Sequence, residues 1–109
     1  MNVKELIPSV THSGRIWPGQ ANFAHEGSGC YVITDFIGDI LFIGTGANIR
    51  DSIILTLSSL EKPASVSYQN PGFFHWRLAM DPVALERVWL KRHTLAEGST
   101  PVLNRGFST

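Results

Sequence analysis

Few side chains of catalytic type stand at a spacing that defines a site. The one cysteine, Cys30, lies in an apolar run and is predicted to be a buried strand residue, which excludes a disulfide framework and a cysteine-rich zinc site. The four histidines share no metal-ligand spacing and are each predicted to be structural or exposed; they are His12, His25, His75 and His93. Two other candidates remain: Tyr31, and Glu86, which has no basic residue three or four positions away.

The charge balance bears on nucleic-acid binding. Nine Lys and Arg balance nine Asp and Glu, whereas domains that hold a phosphate backbone usually carry a basic excess. The basic residues are locally grouped, with Arg87, Lys91 and Arg92 on one predicted helix and Arg105 just after it. The sequence therefore predicts either a solvated helix face or a modest basic patch.

A hairpin is the centre of the predicted fold. Its strands lie near residues 30–35 and 40–44, joined by a two-residue turn at Gly38-Asp39 that needs a positive φ at Gly38. That turn would place Asp35 opposite Phe42. Tyr31, Ile33 and Asp35 would then share a face with Ile40 and Phe42, so that one aromatic from each strand lies on the same side.

Two helices and a third strand follow the hairpin. Asn48 can cap a helix near 47–60, with Asp51 at its third position and a buried stripe of Ile49, Ile53, Leu57 and Leu60. In the strand near 73–80, alternation separates Phe74, Trp76, Leu78 and Met80 from His75, Arg77 and Ala79.

The second helix, near 82–97, begins after Asp81 with Pro82 at its first position and stops at Gly98. Its predicted buried stripe is Leu85, Val88, Trp89, Leu95 and Ala96, with Glu86, Leu90 and His93 along the border. The fold class is therefore α+β: a three-stranded antiparallel sheet in β-β-α-β-α order, flanked by helices.

The rest of the chain is less regular. Residues 1–28 predict a helical turn near Val3–Ile7, then irregular chain packing on a domain of residues 29–109. Residues 61–72 predict a loop with a short extended piece near 66–68. No apolar stretch approaches the roughly 20 residues that span a bilayer, and a cytoplasmic protein is expected.

Four short motifs in order resemble the GIY-YIG nuclease superfamily. They are Gly29-Cys30-Tyr31, Phe42-Ile43-Gly44, the segment 81–87 that carries Glu86, and Pro101-Val102-Leu103-Asn104. The resemblance covers residues 29 to 104, and it implies paired strands that run directly into a helix.

The resemblance also implies a chemistry, the hydrolysis of DNA phosphodiesters at one metal ion. Glu86 would hold the ion, Tyr31 would help to activate water, and Asn104 would close the site. A hard carboxylate suits Mg²⁺ or Mn²⁺, and a metal-bound water becomes a usable nucleophile. The helix start at Asn48 could add main-chain donors for a phosphate.

The sequence departs from the family pattern at two positions. Phe42 stands where the family has its second tyrosine, and Ser52 stands where it has a phosphate-binding arginine. Arg50 is about 200° around the helix from Ser52, so Arg77 or Arg87 would have to substitute. Loss of one preorganised charge stabiliser typically costs about 10² to 10³ in rate.

Two hypotheses follow from these matches and departures. The chain is either a metal-dependent endonuclease with a rewired phosphate clamp or a GIY-YIG-like binding or accessory module that does not cut. Tyr31, Glu86 and Asn104 favour the first; Phe42, Ser52 and the neutral net charge favour the second. Convergence of Tyr31, Phe42 and Glu86 on one surface depression is expected if the site is intact.

Overall fold

The computed structural model describes residues 1–16, 20–60 and 71–104. Its strands are β1 (His12–Arg15), β2 (Gly29–Thr34), β3 (Ile40–Gly46) and β4 (Phe73–Leu78), and its helices are α1 (Ile49–Leu60) and α2 (Pro82–Glu97). Short 3₁₀ turns occupy Val3–Glu5 and Gln20–Phe23. The predicted α+β class and the helical turn near Val3 are confirmed. Arg105 and the predicted extended piece near 66–68 lie outside the described residues.

In the described part of the chain the sheet has four strands, so the prediction of three is wrong. The order is β1-β4-β2-β3, with antiparallel pairing throughout. The additional strand, β1, lies in the segment predicted to be irregular. The sequence does not predict this strand because His12-Ser13-Gly14-Arg15 shows no alternation of apolar and polar residues. Residues 1–28 also supply Val3, Leu6, Ala21 and Ala24 to the core, so this segment shares the hydrophobic core of the rest of the chain.

The β2–β3 turn is longer than predicted. The Asp35 carboxylate accepts hydrogen bonds from the main-chain nitrogens of Ile37 (3.0 Å) and Asp39 (2.9 Å), which closes a loop over residues 35–39. Gly38 has the expected positive φ, 91°. The register differs accordingly: Ile33 lies opposite Phe42, and a bulge places Ile40 opposite Thr34.

Each face of the sheet carries one helix and one hydrophobic cluster. We call the first the α1 face; it contains Tyr31, Ile33, Phe42, Phe74 and Trp76 packed with Ile49 and Ile53. The opposite α2 face contains Cys30, Val32, Ile40 and Ile43 packed with Leu85 and Trp89. Tyr31 and Phe42 therefore share a face as predicted, whereas Ile40 lies on the other face because of the bulge.

The helix ends agree with their predicted caps. Asn48 Oδ1 accepts from Asp51 N (3.2 Å), Asp81 Oδ1 accepts from Ala84 N (3.1 Å), and Gly98 is left-handed at φ 80°. The buried stripe of α2 is Leu85, Trp89 and His93, at successive intervals of four. Burial of Val88, Leu95 and Ala96 was predicted wrongly; all three are exposed. His93 is buried instead, and its Nδ1 bonds to Ser99 O at 2.6 Å.

Within the described ranges, no helix has the length and apolar content needed to cross a membrane.

Candidate functional site

Tyr31 and Phe42 are neighbours inside the core of the α1 face. Their ring centroids are 5.8 Å apart, and the residues are only 4% and 6% exposed. Tyr31 Oη lies 2.6 Å from Thr56 Oγ1 on α1. Burial raises the pKa of Tyr31, and the Glu86 charge adds to this rise against the opposing hydrogen bond from Thr56. Both rings belong to the core of this face, and their convergence with Glu86 on a surface depression stays a prediction.

Gly44 explains why a glycine closes the second motif. A Cβ atom at this position would lie 2.7 Å from the Tyr31 hydroxyl and 2.7 Å from the Phe42 ring. No side chain fits between two buried rings at that distance. The two motifs therefore contact each other through packing around Gly44.

The position of the family's arginine is closely packed. Ser52 lies one helical turn before Thr56 and packs against Gly46. A Cβ atom added to Gly46 would clash with the Ser52 hydroxyl. Arg50 pairs with Glu26 at the surface and also lies 3.9 Å from Asp51 Oδ1.

The two arginines considered as substitutes lie elsewhere. Arg77 donates to Ser9 O (3.0 Å) and belongs to the α2 face, since it is paired with Cys30. Arg87 is exposed on α2.

The start of α1 has no main-chain donor left for a phosphate. Its first four main-chain nitrogens are all bonded: Ile49 to Gly27 O (2.9 Å), Arg50 to His25 O (3.1 Å), Asp51 to Asn48 Oδ1 (3.2 Å) and Ser52 to Asn48 O (3.0 Å). A helix start binds anions through unsatisfied N–H groups. The predicted phosphate contribution of this helix is therefore wrong for the arrangement seen.

Glu86 is half-buried on α2, and burial raises the pKa of its carboxyl group. The adjoining Leu85 packs on the α2 face, opposite the face that holds Tyr31. Burial, together with the Glu86 charge, raises the pKa of Cys30 to about 12, and the Cys30 thiol donates to Pro82 O (3.0 Å). Such a thiol is inert as a nucleophile.

Glu86 is the one protein ligand that the sequence predicts for a metal. In the part of the chain that the structure describes, no group of three or more His, Cys, Asp or Glu residues could hold a metal ion. Mg²⁺ is commonly bound by one or two carboxylates with water and phosphate oxygens, so Glu86 fits as a ligand. The helix that carries Glu86 packs on the α2 face, whereas the Tyr31 hydroxyl is buried on the α1 face and bonded to Thr56.

Asn104 fastens the C-terminal segment to β3. Its Oδ1 accepts from Ile43 N (2.9 Å) and its Nδ2 donates to Ile43 O (2.7 Å), while Leu103 N donates to Leu41 O (2.9 Å). Asn104 is buried, and Leu103 packs in the α1-face core. These bonds give Asn104 a structural role at the edge of the sheet.

Sequence reasoning missed a polar line that crosses the α2 face. His75 Nδ1 lies 2.6 Å from Ser13 Oγ on β1, and His75 Nε2 lies 3.0 Å from Thr34 Oγ1 on β2. Burial lowers the pKa of His75 to about 4. Alternation assigned His75 to the correct face, but its partner Ser13 could not be found without β1.

A second missed cluster joins His12, His25 and Trp76. The His12 ring stacks on Trp76 at 5.0 Å and meets the edge of His25 at 4.8 Å. Trp76 Nε1 donates to His25 Nδ1 (3.1 Å). These residues come from three separate segments, so no sequence spacing could reveal the cluster.

The comparisons with known proteins add no assignment: no protein-family model matches the chain, and a search of the curated proteins finds no match.

Proposed function

We propose that this chain is a divergent GIY-YIG-like domain that acts as a binding or accessory module and does not cut phosphodiesters. The observation that carries the proposal is the Tyr31 hydroxyl, which is buried and bonded to Thr56. A catalytic hydroxyl must reach the proton that it transfers. At this position the hydroxyl instead joins β2 to α1.

Three further motif positions support a scaffold role. Phe42 keeps an aromatic ring in the core without a hydroxyl, Ser52 packs against Gly46, and both polar atoms of the Asn104 side chain bond to Ile43. Each side chain is explained by packing or by main-chain hydrogen bonding. The fold alone therefore accounts for these residues of the motifs that resemble a nuclease site.

DNA is the proposed partner of this module. Arg87 and Lys91 are exposed and stand four residues apart on α2, so their side chains share one helix face. Two cations release few counterions, and with a neutral net charge we expect weak, salt-sensitive binding.

A binding measurement tests the proposed partner. Fluorescence anisotropy with a labelled duplex should show weaker binding for Arg87→Gln and Lys91→Gln, and unchanged binding for Lys4→Gln, an exposed cation elsewhere. Equal affinity for all three variants and the parent would remove DNA as the partner of this face.

A metal-dependent DNA endonuclease is the second candidate. The observation that favours it is the half-buried Glu86 carboxylate, which among the described residues has no ion-pair partner. Burying a charge is costly unless it is paired or binds a metal. When bound, Mg²⁺ or Mn²⁺ would supply an activated water at Glu86.

Plasmid nicking distinguishes the two candidates. The time course is run with each divalent ion on the parent, on Glu86→Gln and on the double variant Phe42→Tyr with Ser52→Arg. We expect the same background rate for all three, because position 42 is buried and cannot reach a phosphate. Metal-dependent nicking that disappears in Glu86→Gln would instead establish the endonuclease.

A further inference from the structure

The segment 25–27 covers the start of α1. The main-chain oxygens of His25 and Gly27 accept from Arg50 N and Ile49 N, and Glu26 pairs with the Arg50 side chain. The His25 ring bonds in turn to Trp76 on β4. The His25 side chain thus connects the segment that covers the start of α1 to strand β4.

The protonation state of His25 follows from its partner. An indole N–H can only donate, so His25 Nδ1 must accept, and an Nδ1 that accepts carries no proton. Because both nitrogens of a charged imidazole are donors, protonation of His25 would set two donors against each other. The bond to Trp76 therefore exists only while His25 is neutral.

His12 lacks this constraint. The Thr11 hydroxyl hydrogen points to Trp76 O (3.1 Å), so Thr11 Oγ1 accepts from His12 Nδ1 (2.9 Å). This bond survives in either charge state of His12. A charged His12 would also stack favourably on the Trp76 ring.

Charges around His25 act in both directions. Glu26 lies beside it in sequence, but this carboxylate is paired with Arg50; Asp51 also lies at the start of α1. Three positive or chargeable groups disfavour a positive charge on His25: His12, the Arg50 guanidinium and the positive end of α1. The donor facing the ring, Trp76 Nε1, adds to this opposition.

We propose that His25 is a pH-responsive latch, which holds residues 25–27 on the start of α1 when neutral and loosens them when protonated. Imidazole is the side chain that proteins use for such switches. Loosening would release the main-chain donors of Ile49 and Arg50. This inference is independent of the proposed function, since it involves neither Glu86 nor the basic face of α2.

The test follows the indole N–H resonances of the folded protein by NMR from pH 8 to pH 5. Trp89 Nε1 donates to Pro8 O (2.7 Å), an acceptor that does not titrate, and serves as the internal reference. We expect the Trp76 resonance to move in one transition, and the amide exchange of Ile49 and Arg50, corrected for intrinsic rates, to rise about tenfold. The Trp89 resonance should stay in place.

Two variants assign the transition. His12 also stacks on Trp76, so the first variant is His12→Gln, which should keep the transition. On that background His25→Gln offers an amide oxygen that accepts without titrating, so the Trp76 resonance of the double variant should not depend on pH; His25→Asn provides a second non-titrating acceptor if that variant folds poorly. A Trp76 resonance that does not move in His12→Gln, or a transition that persists in a folded double variant, overturns the proposal.

Discussion

The two faces of the sheet differ in the polar groups that they bury. On the α1 face, Tyr31 bonds to Thr56, and neither hydroxyl changes charge in the ordinary pH range. On the α2 face, His75 bonds to Ser13 and Thr34, and burial, together with the Glu86 charge, raises the pKa of Cys30 to about 12. The faces are built on the same strands, yet this buried bond of the α1 face joins two hydroxyls, whereas the one on the α2 face includes an imidazole.

This contrast shows why the motifs alone do not define an active site. The tyrosine and the aromatic of the two strand motifs lie on the α1 face, which is closed by packing around Gly44. The helix that carries Glu86 packs its Leu85 and Trp89 on the opposite face. A strand motif keeps its residues on one face by alternation, but a helix that follows can pack on either face.

The largest expected effect comes from removing the Asn104 side chain, whose bonds to Ile43 hold the segment that places Leu103 in the α1-face core. In Asn104→Ala, both main-chain groups of Ile43 lose a partner in a buried setting, and we expect a loss of about 3 kcal/mol in the free energy of unfolding. Urea denaturation measures it. Asn104→Asp keeps the acceptor but sets a carboxylate oxygen against the Ile43 carbonyl oxygen, so it should not recover the lost stability. A folded Asn104→Ala variant of wild-type stability would contradict the structural role.

The next effect is specific to the α2 face and concerns pH. Burial lowers the pKa of His75 from 6.5 to about 4, so between these values the unfolded state binds the proton first. Stability is therefore complete above about pH 6.5 and falls towards pH 4, by about 2 to 3 kcal/mol. Urea denaturation at a series of pH values measures this slope.

The matched variant for that experiment is His75→Gln, which cannot titrate. Its stability should depend less steeply on pH over the same window, since the carboxylates common to both proteins cancel in the difference. Identical slopes for the parent and this variant would mean that His75 takes up no proton on unfolding.

A smaller effect is expected for the hydroxyl pair of the α1 face. Tyr31→Phe leaves Thr56 Oγ1 without this partner and should cost about 1 to 2 kcal/mol. Thr56→Val should cost a similar amount, and the double variant should lose less than the sum, because the two hydroxyls stabilise each other. Strict additivity in urea denaturation would show that the pair does not couple.

The smallest effect is expected at the surface, where α1 begins. Arg50 and Glu26 form a partly exposed ion pair, so Arg50→Gln should change the free energy of unfolding by less than about 1 kcal/mol, and by less still in high salt. Glu26→Gln is the matched control. A larger loss that salt does not reduce would indicate that Arg50 acts through packing.

The sequence predicted those parts of the fold that local chemistry determines. The caps at Asn48 and Asp81, the stop at Gly98 and the alternation in β4 all depend on residues a few positions apart. The predicted register is wrong, because the Asp35 carboxylate organises a longer turn than Gly38-Asp39 suggests and a bulge follows it. Strand β1 was missed because its pairing with β4 supplies order that its own composition does not indicate.

The candidate site was less predictable for the same reason. The proximity of Tyr31 to Phe42 follows from strand alternation, but the burial of both rings depends on α1, and the face chosen by α2 decides where Glu86 lies. The clusters around His75 and His25 each combine segments that are distant in sequence. Local spacing contains no information about such contacts.

The sheet order also constrains how the chain assembles. Strand β4 lies between β1 and β2, so among the described strands β1 has no partner until residues 73–78 are in place. The β2–β3 hairpin can form from adjacent residues, whereas β1 must wait for a contact across some 60 residues, and such distant pairings slow folding. On a ribosome, the N-terminal strand would therefore emerge first and join the sheet last.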